Sequence, residues 1–153
     1  MMNMKSGKFY TLIAAFIIAC DQITKYYIVN YLSHYVMNPL FSIDLVFNRG
    51  ISWGLLHSDS MAVFACVNSA ILFVIGVLIV HTIVRMMQNH IIIGEIMVFA
   101  GAISNYIDRC LYEGVIDFIS ISYGDWCFPI FNVADIFIVS GVMIMMFFEW
   151  KKS

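Results

Sequence analysis

The sequence predicts an all-α membrane protein, with four transmembrane helices and a small extracytoplasmic β-sheet platform between helices 1 and 2. Three observations carry this reading. Of 153 residues, 62% are apolar and only 12% charged, whereas soluble domains average roughly 45–50% apolar and about a quarter charged. So few charges cannot solvate the surface of so small a globule, and a bilayer must act as the apolar solvent. Four stretches, approximately 9–29, 61–84, 91–111 and 128–148, reach the ~20 helical residues that cross a hydrocarbon core. The segment 31–60 instead alternates apolar and polar residues as a strand does.

The first span follows Lys5 and Lys8. Its run Ile18-Ala19-Cys20 has the look of a cleaved leader, but apolar character resumes after Asp21 through Tyr26-Tyr27-Ile28-Val29 and no small-residue spacer follows. A retained helix is therefore expected. Beyond it, residues 41–47 and 51–56 read as two strands around an Asn48-Arg49-Gly50 turn. Trp53 suits such a sheet to the membrane surface. The second span is the most apolar, with no Asp, Glu, Lys or Arg from Ser60 to Val84. A short turn around 86–90 makes it the antiparallel neighbour of the third. The segment 112–127 contains Gly114, Gly124 and Trp126 and is read as one short helix or strand before the fourth span.

An even number of spans places both termini on one side of the membrane. Lys5, Lys8, Arg85, Lys151 and Lys152 then share the cytoplasmic side, as the excess of positive charge on inner loops requires. Lys25, Arg49 and Arg109 fall toward the outside, each among other polar residues. The chain has no repeats and no linker, so a single integral membrane domain, 1–153, is expected. The net charge of −2 gives no reason to expect a nucleic-acid partner. The dispersed histidines (His34, His57, His81, His90) lack metal-ligand spacing, and neither metal nor cofactor is expected. Cys20 and Cys66 read as small hydrophobes. Cys110 and Cys127 would both face the oxidising side, where spacing alone leaves a disulfide open.

Ionisable residues inside a membrane are costly and mark either a functional site or a structural pair. Here Asp21 and Lys25 on the first span, Asn105, Asp108 and Arg109 on the third, and Asn132 and Asp135 on the fourth lie at one depth, toward the outer side. A solute pathway would spread such groups over several depths, which disfavours a transporter. Asp21 and Lys25 stand at i, i+4 in the favourable order, so Lys25 is taken to neutralise Asp21, and Arg109 to hold Asp108. Structural pairing that scaffolds a site is the reading for these four, and Glu95 is read as snorkelling or weakly paired. Asp117 and Asp135 are left without a nearby cation in sequence. Two carboxylates brought together in a poorly solvated place cannot both ionise cheaply, so one keeps a proton. Such a pair holds a base and an acid at once and can hydrolyse an amide. The competing reading is a structural or assembly protein in which these acids cap or pair.

Four motifs then carry a resemblance. Asp21-Gln22-Ile23-Thr24-Lys25, the Asn48-Arg49-Gly50 segment running on to Gly54-Leu55, Asn105-Tyr106-Ile107-Asp108-Arg109 followed by Gly114 to Ile119, and Phe131-Asn132-Val133-Ala134-Asp135 occur in order from Asp21 to Gly141. Together they resemble the motifs of the lipoprotein signal peptidases, also called signal peptidase II. The resemblance implies an aspartyl endopeptidase of the bacterial cytoplasmic (inner) membrane. It would remove signal peptides from prolipoproteins, cleaving before a cysteine that already carries diacylglycerol, and would be blocked by globomycin. It implies Asp117 and Asp135 as the catalytic pair. Asp21, Lys25, Asn48, Gly50, Gly101, Asn105, Asp108, Arg109, Asn132 and Ala134 become substrate-binding or supporting residues. The implied partners are the lipidated prolipoprotein and membrane lipids, around a monomer with its site near the outer face. Two positions depart from the family pattern: Ala100 and Ser104 stand where glycines are usual, both still small enough for close helix packing.

Overall fold

A computed structural model describes residues 4–50 and 60–151. Helix α1 (Met4–Tyr31) is followed by strands β1 (His34–Val36) and β2 (Phe41–Asn48), then by helices α2 (Met61–Met87) and α3 (Ile93–Tyr112). Strands β3 (Val115–Tyr123) and β4 (Trp126–Cys127) precede the last helix, α4 (Val133–Trp150). The strand expected over 41–47 is β2, whereas that expected over 51–56, with Trp53, lies outside the described residues.

Among the described residues, three helices are long and apolar enough to cross a membrane, over Gly7–Tyr31, Met61–Met87 and Val133–Trp150. α3 has 20 residues, a length of about 30 Å at 1.5 Å per residue, but carries Glu95, Asp108 and Arg109. These charges suit its position, because α3 packs on α4, α1 and α2 in turn. The bundle buries polar groups beside apolar ones such as Ile17 and Ile75, and turns many large apolar side chains outward. Asp21, Ser104, Asp108 and Asn132 are completely buried, while Phe73 and Val80 of α2 and Met143 of α4 are more than 60% exposed. Such a distribution fits a hydrocarbon surround, in which apolar side chains gain nothing by turning inward.

α3 and α4 approach closely because three glycines stand between them. A Cβ on Gly101 would lie 2.7 Å from the Ala134 carbonyl oxygen, and one on Gly94 would lie 2.7 Å from that of Gly141. Gly141 meets Gly94 reciprocally, at 2.6 Å. Ala100 lies in the same part of α3 and is fully buried, so a methyl group is accommodated there.

The sheet is antiparallel in the order β1-β2-β3-β4. It is therefore not confined to the connection between the first two helices, as expected, but takes half its strands from the α3–α4 connection. α3 ends on Glu113 in the left-handed conformation, and Gly114 then passes so near Asn48 that a Cβ would lie 3.3 Å from its backbone. This close approach pairs Asn48 with Val115 and Val46 with Asp117. Beneath the sheet, Ile28 of α1 packs with Ile116 and Phe118 of β3.

The fourth helix starts at Val133, later than the expected 128. Phe128 and Phe131 are extended instead and hydrogen-bond with Ile121 and Ile119 of β3. Asn132 then caps α4 in a reciprocal box, its side chain accepting from the Asp135 N–H and the Asp135 side chain accepting from the Asn132 N–H. One further expectation is revised and one point left open is answered. Glu95 is not snorkelling: it is buried and lies 2.6 Å from Arg85 Nε of α2, which also pairs with Glu149 of α4. All four cysteines are free thiols, so Cys110 and Cys127 are not bridged.

Candidate active site

Asp117 and Asp135 reach one place from two elements, and Asn132 joins them. Register with β2 sets Asp117 opposite Val46 on β3, and the capping box sets Asp135 in the first turn of α4. Asn132 Nδ2 donates to Asp117 Oδ1 at 2.7 Å, while its Oδ1 accepts from the Asp135 N–H at 2.9 Å. Its own N–H donates to Asp135 Oδ2 at 3.2 Å. Asn48 Nδ2 holds the other oxygen of Asp117 at 3.0 Å, its Oδ1 being turned away by the Gly50 N–H at 3.0 Å. Asn105 Nδ2 holds Asp135 Oδ1 at 2.9 Å. Both carboxyl groups are thus fixed by neutral amide donors, with no basic side chain in hydrogen-bond contact among the described residues. Burial above all, and the charge of Asp135 in addition, push the Asp117 carboxyl up to about 7 against the amide hydrogen bonds of Asn48 and Asn132.

Behind this pair lies a buried ionic cluster. Lys25 Nζ sits 2.6 Å from Asp21 Oδ2, 2.6 Å from Asp108 Oδ2 and 2.8 Å from Asn105 Oδ1. The pairing of Lys25 with Asp21 is as expected. Asp108, however, is held by Lys25 and not by Arg109, because the carboxylate turns toward α1 while the next residue along α3 turns away. Asp21 Oδ1 accepts from the Ala134 N–H at 2.8 Å, and Asp108 Oδ2 accepts from the Ile116 N–H at 3.2 Å. The cluster therefore tethers the start of α4 and the start of β3, the two segments that carry the carboxyl pair.

Arg109 does different work. Its guanidinium donates to the carbonyls of Arg49 and Gly50 and to Asn68 Oδ1 at 3.3 Å, and lies 5.9 Å from the centre of the Phe64 ring. It ties the turn that carries Asn48 to α2 and α3. Gly101 contributes by its lack of a side chain, as described above.

The residue-by-residue reading missed Gln22, Ser104 and Asn68. Gln22 Nε2 donates to Ser104 Oγ at 3.1 Å and to Asp108 Oδ1 at 2.9 Å, and Ser104 Oγ donates to Asp21 Oδ2 at 2.7 Å. Ser104 thus adds to the cluster a donor that a glycine there would lack. The available signal for Asn68 was an amide in the apolar run of α2.

Asn48, Asn105, Arg109, Asp117 and Asp135 line one part of a cavity of about 540 Å³, and Ile71, Ala102, Val139 and Met143 line another. The carboxyl pair therefore faces an apolar cleft between α2, α3 and α4. Among the described residues, no group of three or more His, Cys, Asp or Glu side chains is placed to hold a metal ion.

Buried carboxyl groups facing an apolar cleft in a helical membrane protein mark a candidate functional site. Residues 13–151 match the sequence profile of the family described as Signal peptidase (SPase) II. The lipoprotein signal peptidase of Bacillus velezensis is 35% identical over 154 residues, covering 94% of this chain and 97% of that protein. That of Geobacillus thermodenitrificans is 34% identical over 146 residues, covering 91% and 89%. A solved bacterial membrane enzyme, studied by the in meso method at 2.3 Å, superposes with a TM-score of 0.76 at 27% identity, covering 94% of this chain and 88% of that one. A second, at 1.9 Å, gives 0.74 at 26% identity, covering 95% of each. The chain belongs to the signal peptidase II family, and is thus a bacterial integral membrane protein of a peptide hydrolase family.

Proposed function

We propose that this protein is an aspartic endopeptidase that removes signal peptides from diacylglyceryl-modified bacterial prolipoproteins, cleaving before the lipidated cysteine. The observation that carries the proposal is the junction at Asn132, which holds Asp117 at 2.7 Å and the first turn bearing Asp135 at 2.9 Å beside an apolar cleft. In this reading α3 is a fourth span, both termini are cytoplasmic, and the sheet lies at the outer face. The chain works as one monomeric domain in the cytoplasmic membrane. The prolipoprotein's signal helix occupies the cleft, its acyl chains remain in the lipid, and the scissile amide lies beside the carboxyl pair.

Near neutral pH the pair holds one proton. The ionised carboxylate removes a proton from a water molecule, whose oxygen attacks the scissile carbonyl carbon. The protonated carboxyl gives its proton to the carbonyl oxygen. The tetrahedral intermediate then collapses, the amine leaves with the proton that the base had taken, and the second carboxyl recovers its own. The asparagine amides orient both acids without adding charge, and the remote apolar contacts of the signal helix fix the amide in place.

The test is cleavage of a diacylglyceryl-modified prolipoprotein by detergent-purified protein, read as a shift in gel mobility. Cleavage that globomycin blocks supports the proposal, and no cleavage by folded protein overturns it. The pH profile adds a prediction. Asp117 keeps its proton until about pH 7, so kcat/KM is expected to fall as pH rises through about 7, where the pair loses the proton it needs. A kcat/KM that instead rises through that range contradicts the shared-proton scheme.

A further inference from the structure

Each of the three asparagines at the carboxyl pair must present its NH2 group, not its oxygen, to an aspartate. An amide side chain has one end of each kind, so its orientation is set by whatever lies at the far end. For Asn48 that partner is the Gly50 N–H and for Asn132 it is the Asp135 N–H. Both are backbone groups that only donate. For Asn105 the far end meets a side chain: Lys25 Nζ, 2.8 Å from Oδ1. An ammonium has three donors and no acceptor, and Lys25 spends its three on Asp21, Asp108 and Asn105. Asn105 Oδ1 also receives Asn132 Nδ2 at 3.1 Å. That group has two hydrogens for three acceptors, since it also reaches Asp117 Oδ1 at 2.7 Å and the Ile116 carbonyl at 3.3 Å. The charged donor is the firmer of the two.

We infer that Lys25 is a positioning residue for Asp135, acting through Asn105: its ammonium locks the Asn105 amide so that Nδ2 holds Asp135 Oδ1 in the geometry used for cleavage. This rests on the proposed peptidase reading and extends it, because the buried cluster otherwise does no more than brace the fold. Lys25 is 1% exposed and lines no part of the catalytic cleft, so an effect on turnover cannot come from touching substrate there. The expected signature is a fall in kcat with KM unchanged, since substrate binding in the apolar cleft does not involve Lys25.

The experiment is a mutant cycle on prolipoprotein cleavage. Lys25→Met alone strips the cluster of its cation, so it is combined with Asp108→Asn. Two carboxylates with one ammonium, and one carboxylate alone, both carry a net charge of −1, and the combination keeps that balance. In this background kcat is expected to fall at least about tenfold with KM held within about twofold. Asn105→Leu is expected to lower kcat by about 10²-fold, and adding it to the Lys25→Met, Asp108→Asn background brings no further loss beyond Asn105→Leu, because both changes remove the same hold on Asp135. Lys25→Arg, which can also only donate, is expected to stay within about tenfold of wild type. Losses that multiply, a kcat near wild type in the charge-balanced background, or a Lys25→Arg variant as slow as that background overturns the inference. A wild-type protein that does not cleave at all would instead defeat the peptidase reading itself.

Discussion

Asp117→Asn and Asp135→Asn are each expected to lower the kcat of prolipoprotein cleavage by about 10³-fold or more, the scale of losing a positioned acid–base group. Asparagine keeps the shape of the side chain but can neither take a proton from water nor deliver one to an amine. At position 117 it still accepts one of the two amide donors, from Asn48 or Asn132. At position 135 it still accepts the Asn132 N–H that closes the cap of α4. Helix content and elution from a sizing column are therefore expected to match wild type, and the loss falls on kcat, not on the amount of folded protein. Near-normal turnover in either variant would remove that residue from the chemistry and return it to a structural role.

The second large effect is on stability. Lys25→Met leaves Asp21 and Asp108, both fully buried, facing each other without the ammonium that stands 2.6 Å from each. Removing one partner of a buried ion pair costs about 3–5 kcal/mol, because the remaining charge stays desolvated and unpaired. The expected result is a protein that unfolds at markedly lower temperature or denaturant in detergent. Asp108→Asn in the same chain should recover much of the loss by removing one of the stranded charges. The two carboxylates hold the N–H groups of Ala134 and Ile116, so α4 and β3 should loosen together. An unchanged unfolding midpoint for Lys25→Met would mean that water reaches the cluster and screens it.

What the sequence made legible follows from how local each signal is. α2 stands out because no charge interrupts its apolar run before Arg85, and the observed helix covers the expected stretch with three residues added. The start of α4 was misplaced because Phe128 to Phe131 is apolar in either conformation. Hydropathy cannot separate a short buried strand from the beginning of a helix, and these residues pair with β3 instead. Asn132, read as lying within the fourth span, is instead the residue that caps it. Charge pairing was legible only within a helix. Asp21 with Lys25, at i, i+4, is found as expected, whereas the partner of Asp108 comes from α1 and that of Glu95 from α2. Only packing decides which helix faces which, so counting neighbours in sequence assigned Arg109 to Asp108 and read Glu95 as snorkelling or weakly paired. The residues named for the site do gather around one cavity or directly behind it. The amides that orient the pair took their meaning from hydrogen-bond direction, which no spacing encodes.

Water attacking directly, under the control of Asp117 and Asp135, is the central claim, and isotope tracing of a single turnover tests it most directly. Purified enzyme in excess cleaves a lipidated prolipoprotein in ¹⁸O-water, and the released signal peptide and digested enzyme are analysed by mass spectrometry. Direct hydrolysis places one ¹⁸O in the new C-terminal carboxyl of the signal peptide and none in Asp117 or Asp135. A label in either aspartate, or a trapped acyl group on one of them, would mean that the carboxylate itself attacks the amide and would contradict the account.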